Sequence, residues 1–348
     1  MTNPIPHPFT EQLIAWQKTA GRHHLPWQVS DAYRVWLSEV MLQQTQVVTV
    51  LDYYPRFVAA FPTVADLAAA PQDDVLALWA GLGYYSRARN LHFAAKQVVA
   101  DFNGCFPNTR LELETLKGVG RSTAAAIAAF AFQKREAILD GNVKRVLCRV
   151  FEQEGLPNDK KFETGLWALA ESLLPAAEHM GAYTQGLMDL GATVCKRSKP
   201  LCEACPMSAL CLAHRHGQTE RLPLKKPKQV VPIKPLYWLI LSHPQAELLV
   251  EKRPDKGIWG GLYCVPTFDT LAALTDHCQT LGIDFMDLEE QVAINHRLTH
   301  FQLIITPYVY HSPKALPEMP EHLWATAETL NGLGMPKPLL NYLKQSQR

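Results

Sequence analysis

The chain has 348 residues, 47% of them hydrophobic and 19% charged, which is the size and balance of a globular protein with two domains. No apolar run reaches the about eighteen residues of a membrane span, and the first residues lack the basic and apolar regions of a secretory signal, so we expect a cytoplasmic location, in the cytosol or nucleoid. The formal net charge of +1 gives no global attraction to nucleic acid, so such binding would need local patches.

Residues 9 to about 215 carry a helical pattern interrupted by glycine and proline. Between residues 31 and 41, the apolar side chains recur with the spacing of one helix face. Similar periodicity predicts further short helices at Val64–Ala69, Asp73–Leu78, Ser86–Val99, Leu111–Leu116, Ser122–Phe132, Asn142–Phe151, Lys161–Leu174 and Ala182–Leu190. The sequence therefore predicts a mostly α-helical first domain, residues 1–220.

A carboxylate lies on the apolar face of the helix that follows Asp31. Glu39 has Val35 at i−4 and Leu42 at i+3, so its neighbours along the helix are apolar. Burial on such a face raises the pKa of a carboxyl group, which lets it hold a proton near neutral pH and act as a general acid. The alternative is an ion pair with a nearby arginine such as Arg34.

Two glycines precede an alanine-rich helix in the stretch LKGVGRSTAAAI, Leu116–Ile127. Glycine tolerates the positive φ of a tight turn, and the helix after Gly120 begins with unpaired N–H groups at the positive end of its dipole. Gly118 and Gly120 are thus candidates for a phosphate-binding turn. A plain helical hairpin would show the same pattern.

A second carboxylate, Asp140, precedes the helical run that begins at Gly141 and Asn142. Aspartate at such a position is a natural N-cap. It can also present a carboxylate with restricted rotamers to a substrate. Both interpretations remain open from the sequence.

Four of the eight cysteines crowd into residues 195–211. They are Cys195, Cys202, Cys205 and Cys211, and only one pair has the C-x2-C spacing. Four thiolates so close together indicate a metal centre, either zinc or an iron–sulfur cluster, more than a packed core. The gap after Cys195 contains three basic residues that could contact phosphates or simply face solvent.

The composition changes after the cysteines. Residues 221–235 hold five basic residues and four prolines, which predicts an extended linker. Beyond it, Leu236–Ser242 and Ala246–Arg253 flank a turn at His243–Gln245 and predict a hairpin. A strand at Phe301–His311 and a helix at about Thr270–Leu281 make the second domain, residues 236–348, α+β.

These motifs together resemble the MutY-type adenine DNA glycosylases of the endonuclease III, or helix-hairpin-helix, superfamily. The resemblance runs through nearly the whole chain. The stretches that carry it are VWLSEVMLQQTQV (Val35–Val47), GLGYYSRARNL (Gly81–Leu91), ILDGNVKRVL (Ile138–Leu147), MDLGATVCKRSKPLCEACP (Met188–Pro206), KKPKQ in the linker and WGGLYCVP (Trp259–Pro266). The turn at Leu116–Gly120 departs from the family pattern L-P-G-V-G because Lys117 replaces the proline.

The resemblance implies a fold and a cofactor. The first domain would be a six-helix barrel with an iron–sulfur cluster domain, in which the four cysteines hold a [4Fe–4S] cluster. The second would be a Nudix-like domain that reads 8-oxoguanine. The substrate would be double-stranded DNA with adenine opposite 8-oxoguanine or guanine, and the protein would be a monomer.

The resemblance also assigns residues to roles. Glu39 would be the general acid and Asp140 the carboxylate that stabilises an oxocarbenium-like transition state, with Asn142 close to the reacting sugar. Gln44 and Tyr84 would wedge into the duplex, although Tyr84 or its neighbour Tyr85 could instead be a core aromatic. The residues that would line the adenine pocket are Arg22, Leu25 and Trp27.

In the second domain, the family's F-S-H loop corresponds to Leu298-Thr299-His300. Thr299 keeps a hydroxyl donor, whereas Leu298 loses the aromatic ring, and His300 could be an ordinary strand-edge histidine. The predicted helix there offers only Asp276 as a carboxylate, whereas a Nudix hydrolase needs a glutamate-rich helix for magnesium. We therefore expect no pyrophosphatase activity.

The sequence is consistent with three functions. The first is a monofunctional adenine glycosylase, and the second is a bifunctional glycosylase and lyase acting on oxidised pyrimidines. Ser122 discriminates between them, because the lyases place a nucleophilic lysine there and serine cannot form a Schiff base. The third is a non-enzymatic DNA-binding or electron-transfer protein, against which the two carboxylates argue.

Overall fold

The computed structural model describes residues 7–156, 159–225, 230–242, 248–313 and 322–346. Its backbone contacts divide the chain into two compact units, both discontinuous in sequence. The first unit consists of Met1–Ala68 and Phe93–Pro227, and the second of Ala69–His92 and Lys228–Arg348. The sequence predicts one boundary near residue 220 and gives no indication that residues 69–92 belong with the C-terminal part.

Helices dominate the chain up to residue 215, and each predicted helix is present, Val64–Ala69 with the predicted ends and the others with ends shifted at one or both termini. They are α1 (Pro8–Ala20), α2 (Ala32–Leu42), α3 (Val47–Ala60), α4 (Val64–Ala69), α5 (Gln72–Trp79), α6 (Ser86–Phe102), α7 (Arg110–Leu113), α8 (Arg121–Phe132), α9 (Gly141–Val150), α10 (Lys160–Ser172), α11 (Met180–Asp189) and α12 (Leu212–Arg215). Helix α11 continues into a π-helical turn at Leu190–Val194, just before the cysteines. No helix in the described part is both long and apolar enough to cross a membrane.

Helix α8 is the centre of the first unit. Its residues 124–129 are all buried, five of them alanines. Such small side chains allow close approach of neighbouring helices, and α2, α7 and α11 pack against it. The alanine-rich run therefore positions the N-terminal turn of α8 and the C-terminal part of α2 in one packed layer.

The second unit is built on a mixed sheet. Its strands are β1 (Ile233–Ser242), β2 (Leu248–Lys252), β3 (Tyr263–Cys264), β4 (Thr267–Phe268), β5 (Glu289–Glu290), β6 (Ile294–Arg297), β7 (Gln302–His311) and β8 (His322–Ala325). The main path has the order β3-β2-β1-β7-β5, and the long strands β1 and β7 pair in parallel. Helix α13 (Leu271–Thr280) packs on β1 and β4, and two further helices, α14 (Ala327–Gly332) and α15 (Lys337–Ser346), complete the unit.

The predicted linker needs correction at its C-terminal end. Strand β1 already begins at Ile233, inside the range 221–235, because Ile233–Pro235 pair with Gln302–Ile304 of β7 in spite of their local composition. At the other end, Leu222 is buried and its carbonyl accepts a hydrogen bond from Arg149. The predicted turn at His243–Gln245 lies outside the described residues.

Candidate active site

A cleft of about 1920 Å³ opens in the first unit, and we call it the Glu39 cleft. Its walls come from the segment after α1, the C-terminal half of α2, the start of α8 and the start of α9. The residues predicted from the sequence that line it are Arg22, Leu25, Trp27, Glu39, Gln44, Ser122, Asp140 and Asn142. The fold thus brings together side chains that are more than a hundred positions apart in sequence.

Glu39 is partly buried in the wall of this cleft. Burial raises the pKa of Glu39 from 4.5 to about 8, and the negative charge of Asp140 adds to the effect. Among the described residues, the side chain of Glu39 forms no hydrogen bond or ion pair, so the alternative of a pair with Arg34 is not realised there. A carboxyl group in this state is protonated at neutral pH.

Asp140 both caps a helix and faces the cleft, so the two possibilities that the sequence left open occur together. It is the N-cap of α9, where Oδ1 accepts hydrogen bonds from Asn142 N at 2.9 Å and Val143 N at 2.8 Å. The same side chain faces the Glu39 cleft. Burial raises its pKa, and the two backbone N–H groups oppose that shift.

Ser122 anchors the segment that leads to Asp140. Its Oγ accepts a hydrogen bond from Leu139 N at 3.0 Å, which links the first turn of α8 to the residue before the carboxylate. Ser122, predicted to discriminate between the two glycosylase types, therefore has a structural role in this fold. Its hydroxyl is already engaged by the backbone.

The two glycines in the turn before α8 have different backbone conformations. Gly118 has a φ of 81°, as a tight turn requires, whereas Gly120 is extended and serves as the N-cap of α8 without a side-chain hydrogen bond. A Cβ at Gly120 would meet no other described atom within 4 Å, so packing inside the protein does not require glycine there. The N–H of Lys117, which proline would lack, donates to Gln97 Oε1 at 2.8 Å.

Two residues that the sequence reasoning missed hold the segment at one wall of the cleft. Asp189, fully buried on α11, accepts from Arg22 N at 2.8 Å and from Arg22 Nε at 2.6 Å. The amide of Gln28 bridges the same segment, because it donates to Arg22 O at 2.6 Å and accepts from Leu25 N at 2.9 Å. The local sequence pattern gives no signal that Arg22 pairs with Asp189, which is 167 positions away.

Arg145, also missed, joins the cleft to the start of the cysteine loop. Its guanidinium donates to Asn142 Oδ1 at 2.8 Å, to Gly191 O at 2.7 Å and to Cys195 O at 2.7 Å. Gly191 packs so closely that an added Cβ would lie 2.6 Å from Asn142 Cβ. The spacing of Asn142 and Arg145 on one helix face was the available signal.

The four cysteines line one cavity in the first unit and none forms a disulfide. Apolar and polar side chains complete its wall, and the buried guanidinium of Arg149 lies 3.4 Å from Cys195 Sγ. Within the described ranges, no three histidine, cysteine or carboxylate side chains come close enough to hold a single metal ion. Four thiols around a shared cavity are a donor set that suits a larger iron–sulfur cluster.

The remaining predicted residues lie in the second unit. Tyr84 is 45% exposed, whereas Tyr85 is 9% exposed and hydrogen-bonded to Met335 O at 3.3 Å, so Tyr85 is the core aromatic. Thr299 and His300 are exposed in the turn between β6 and β7, so His300 is not part of a strand. The hydroxyl of Thr299 lies 3.3 Å from that of Tyr84 and donates to it.

Comparison with known proteins defines the class first. Residues 37–172 match the HhH-GPD superfamily base excision DNA repair proteins, and residues 237–345 match the NUDIX domain. A thermostable thymine-DNA glycosylase superposes with a TM-score of 0.55 and 31% identity over 60% of this chain and 95% of its own. The structure of a non-covalent endonuclease III–DNA complex gives a TM-score of 0.51 and 22% identity over 60% and 94%, which shows the fold alone. The predicted fold class, a helix-hairpin-helix repair protein with a Nudix-like C-terminal domain, is confirmed.

Two relatives then identify the family within this class of repair proteins. The adenine DNA glycosylase of Buchnera aphidicola subsp. Acyrthosiphon pisum is 34% identical over 98% of this chain and 98% of its own length. That of Rattus norvegicus is 46% identical over 62% of this chain and 43% of its own. The chain belongs to the MutY-type adenine DNA glycosylases, which act in base excision repair, as its motifs predicted. Glycosylases of the endonuclease III kind commonly carry a [4Fe–4S] cluster.

Proposed function

We propose that the protein is a monofunctional glycosylase that excises adenine opposite 8-oxoguanine or guanine in duplex DNA. The observation that carries the proposal is the pair of carboxylates in the Glu39 cleft, where burial and the charge of Asp140 raise the pKa of Glu39 to about 8. A carboxyl group with its pKa raised to about 8, next to a second carboxyl group that accepts two backbone N–H bonds, suits an acid beside an electrostatic stabiliser.

In this mechanism Glu39 supplies the proton. Adenine is a poor leaving group as an anion, and protonation of a ring nitrogen makes its glycosidic bond easier to break. Asp140, whose negative charge two backbone N–H groups support, would stabilise the positive charge that develops on the sugar until water adds to that carbon and releases a proton. Asn142, held by Arg145, would lie close to the sugar.

The target base has to leave the helix before this chemistry can occur, since its glycosidic bond is shielded in the stack. Arg22, Leu25 and Trp27 would receive the adenine, while Gln44 and Tyr84 would fill the space that it leaves. The backbone N–H groups of the turn at Gly118 and Gly120 would bind a phosphate at the start of α8, where Gly120 is the N-cap. These contacts position the DNA, and the two carboxylates perform the reaction.

A single-turnover excision assay tests the proposal. Four duplexes carry adenine opposite 8-oxoguanine, guanine, cytosine or thymine. We expect fast release of adenine opposite 8-oxoguanine, slower release opposite guanine and little opposite the pyrimidines. Equal rates on all four duplexes would contradict the proposed pairing preference.

Lyase activity is expected to be absent. Ser122 has no amine, and its hydroxyl accepts the N–H of Leu139. Borohydride should therefore trap no efficient covalent complex with the wild-type protein. Ser122→Lys provides the positive control, because it places an amine at the lyase position. Strong trapping by the wild type would support the bifunctional alternative.

We also propose that Cys195, Cys202, Cys205 and Cys211 hold a [4Fe–4S] cluster. Bound there, the cluster would act as a structural centre that fixes the basic loop after Cys195. The purified protein should be yellow-brown and contain iron and sulfide in near-equal amounts. Cys202→Ser should lose the colour and Cys148→Ser, at a buried cysteine outside the cavity, should keep it. A colourless zinc protein would contradict the assignment.

Readout of 8-oxoguanine is assigned to the turn that carries Thr299 and His300, together with Tyr84. The hydrogen bond between Thr299 and Tyr84 supports this assignment because it joins two predicted contacts within one unit. Thr299→Val keeps the side-chain shape but removes the hydroxyl. We expect it to lower the ratio of excision rates opposite 8-oxoguanine and guanine about fivefold, the effect of one lost hydrogen bond.

Thr299→Ser is the matched control, since it keeps the hydroxyl, and should retain most of the discrimination. An unchanged ratio in Thr299→Val would assign the turn another role. Removal of residues 228–348 is a less specific test. Residues 69–92, which carry Tyr84, would then lack the C-terminal residues that form a unit with them.

A further inference from the structure

Arg87 lies next to the ring of Tyr84. Its guanidinium carbon is 5.6 Å from the centre of the Tyr84 ring and 5.3 Å from the centre of the Trp79 ring, both within cation–π distance. The side chain is only 8% exposed. Burial lowers the pKa of Arg87 to about 10, which still leaves it charged at neutral pH. A desolvated cation close to two aromatic rings attracts them more strongly than a cation on the surface does.

The backbone beside Arg87 adopts a conformation that tyrosine disfavours. In the loop between α5 and α6, Gly81 and Gly83 have φ values of 97° and 74°, and Tyr84 itself has a φ of 48°. Glycine enters this left-handed region freely, whereas a residue with a Cβ remains there only when its surroundings hold it. The loop therefore needs support from side chains around it.

Arg87 supplies that support at several points. Its Nη2 donates to Gly83 O at 3.2 Å and to Leu82 O at 3.4 Å, and its own N–H donates to Tyr84 O at 2.8 Å. Trp79 Nε1 donates to the same Gly83 carbonyl at 3.2 Å. The ring of Tyr84 thus has the guanidinium of Arg87 next to it, while its hydroxyl accepts from Thr299.

We propose that Arg87 is a positioning residue that holds Tyr84 in its left-handed conformation and thereby sets the readout of the base opposite adenine. The inference rests on the proposed role of Tyr84 in the duplex. Lysine could not replace Arg87, since an ammonium group is a point charge without a planar face and cannot bond the loop carbonyls and stack at once.

The test compares Arg87→Met, Arg87→Lys, Tyr84→Ala and the double variant Arg87→Met with Tyr84→Ala. Single-turnover rates opposite 8-oxoguanine and opposite guanine are measured for each, together with thermal unfolding. We expect Arg87→Met to lower the ratio of the two rates roughly tenfold, the effect of a lost buried cation–π contact. Arg87→Lys should lose nearly as much, and the double variant should be no worse than Tyr84→Ala.

Arg56→Met is the matched control. Arg56 is an exposed arginine 5.8 Å from the centre of the Tyr53 ring, outside the sites described above, so the ratio should not change. If Arg87→Met does not fold, Arg87→Lys decides the question.

Two results would overturn the inference. One is an unchanged ratio in a folded Arg87 variant, and the other is an equal further loss when Arg87→Met is added to Tyr84→Ala. If Tyr84→Ala itself leaves the ratio unchanged, the proposed role of Tyr84 fails, and the inference with it. A loss in Tyr84→Ala without one in the Arg87 variants removes only the inference.

Discussion

Glu39→Gln is expected to stop adenine excision and, at neutral pH, to stabilise the fold. Glutamine has nearly the same shape as glutamate but cannot donate a proton as an acid, so the single-turnover rate should fall by at least about a hundredfold. The two effects have one cause. The burial that raises the pKa of Glu39 makes the ionised side chain unfavourable in the folded protein.

The pH dependence of stability follows from the same shift. The pKa of Glu39 is about 8 in the folded protein and about 4.5 in the unfolded chain, so between these values the folded protein binds more protons. The free energy of unfolding therefore falls as the pH rises from about 4.5 to about 8. Since the cleft is open to water, the loss is on the order of 2 kcal/mol, which the glutamine variant avoids.

Denaturant unfolding of both proteins at several pH values measures this difference, and kcat/KM of the wild type should decline above about pH 8 as Glu39 ionises. Glu11→Gln is the control, because Glu11 is an exposed glutamate on α1. It should not change the rate, and its loss of charge from the first turn of α1 should cost no more than about 0.5 kcal/mol at any of these pH values. A wild-type rate that stays constant well above this pH would remove Glu39 from the role of acid.

Asp140→Asn is expected to lower the excision rate about a hundredfold to a thousandfold while leaving the fold intact. Asparagine is as good an N-cap as aspartate, so its oxygen can still accept from Asn142 N and Val143 N. The substitution removes only the negative charge that the proposed mechanism places beside the sugar. The excision rate should therefore fall while the free energy of unfolding stays nearly the same.

Asp140→Ala distinguishes the effect of the charge on the rate from the effect of the cap on stability. It removes the cap as well and should lower the free energy of unfolding by about 1 kcal/mol. Asp159 caps α10 through Phe162 N and provides the matched control. Asp159→Ala should lose similar stability without affecting excision. If Asp140→Asn retained the wild-type rate, capping would be its whole role.

Local patterns were sufficient for the helices and for Glu39 and Asp140, whereas the resemblance to the family supplied the other candidate residues of the Glu39 cleft. Glu39 could be found because its helix neighbours are apolar, and the cysteines because they crowd together. In the same way, the position of Asp140 before a helical run predicts the N-cap that the structure contains. Each of these features depends on residues close together in sequence.

Features that depend on distant residues could not be predicted. Asp189 and Arg22 are 167 positions apart, and only the packed fold shows that they pair. The start of β1 depends on its partner β7, which overrides the linker-like composition of Ile233–Pro235. The local pattern likewise could not decide which of Tyr84 and Tyr85 is the core aromatic, and the burial of Tyr85 in the fold identifies it.

The membership of residues 69–92 in the second unit has a consequence for recombination between relatives. Lys252 forms an ion pair with Asp73, and Arg89 donates to Gly260 O, so this short segment matches a particular C-terminal surface. A chimera joined only at the linker would combine that segment with a foreign surface. The exchangeable module of this protein is therefore two separate pieces of sequence, and both must be inherited together.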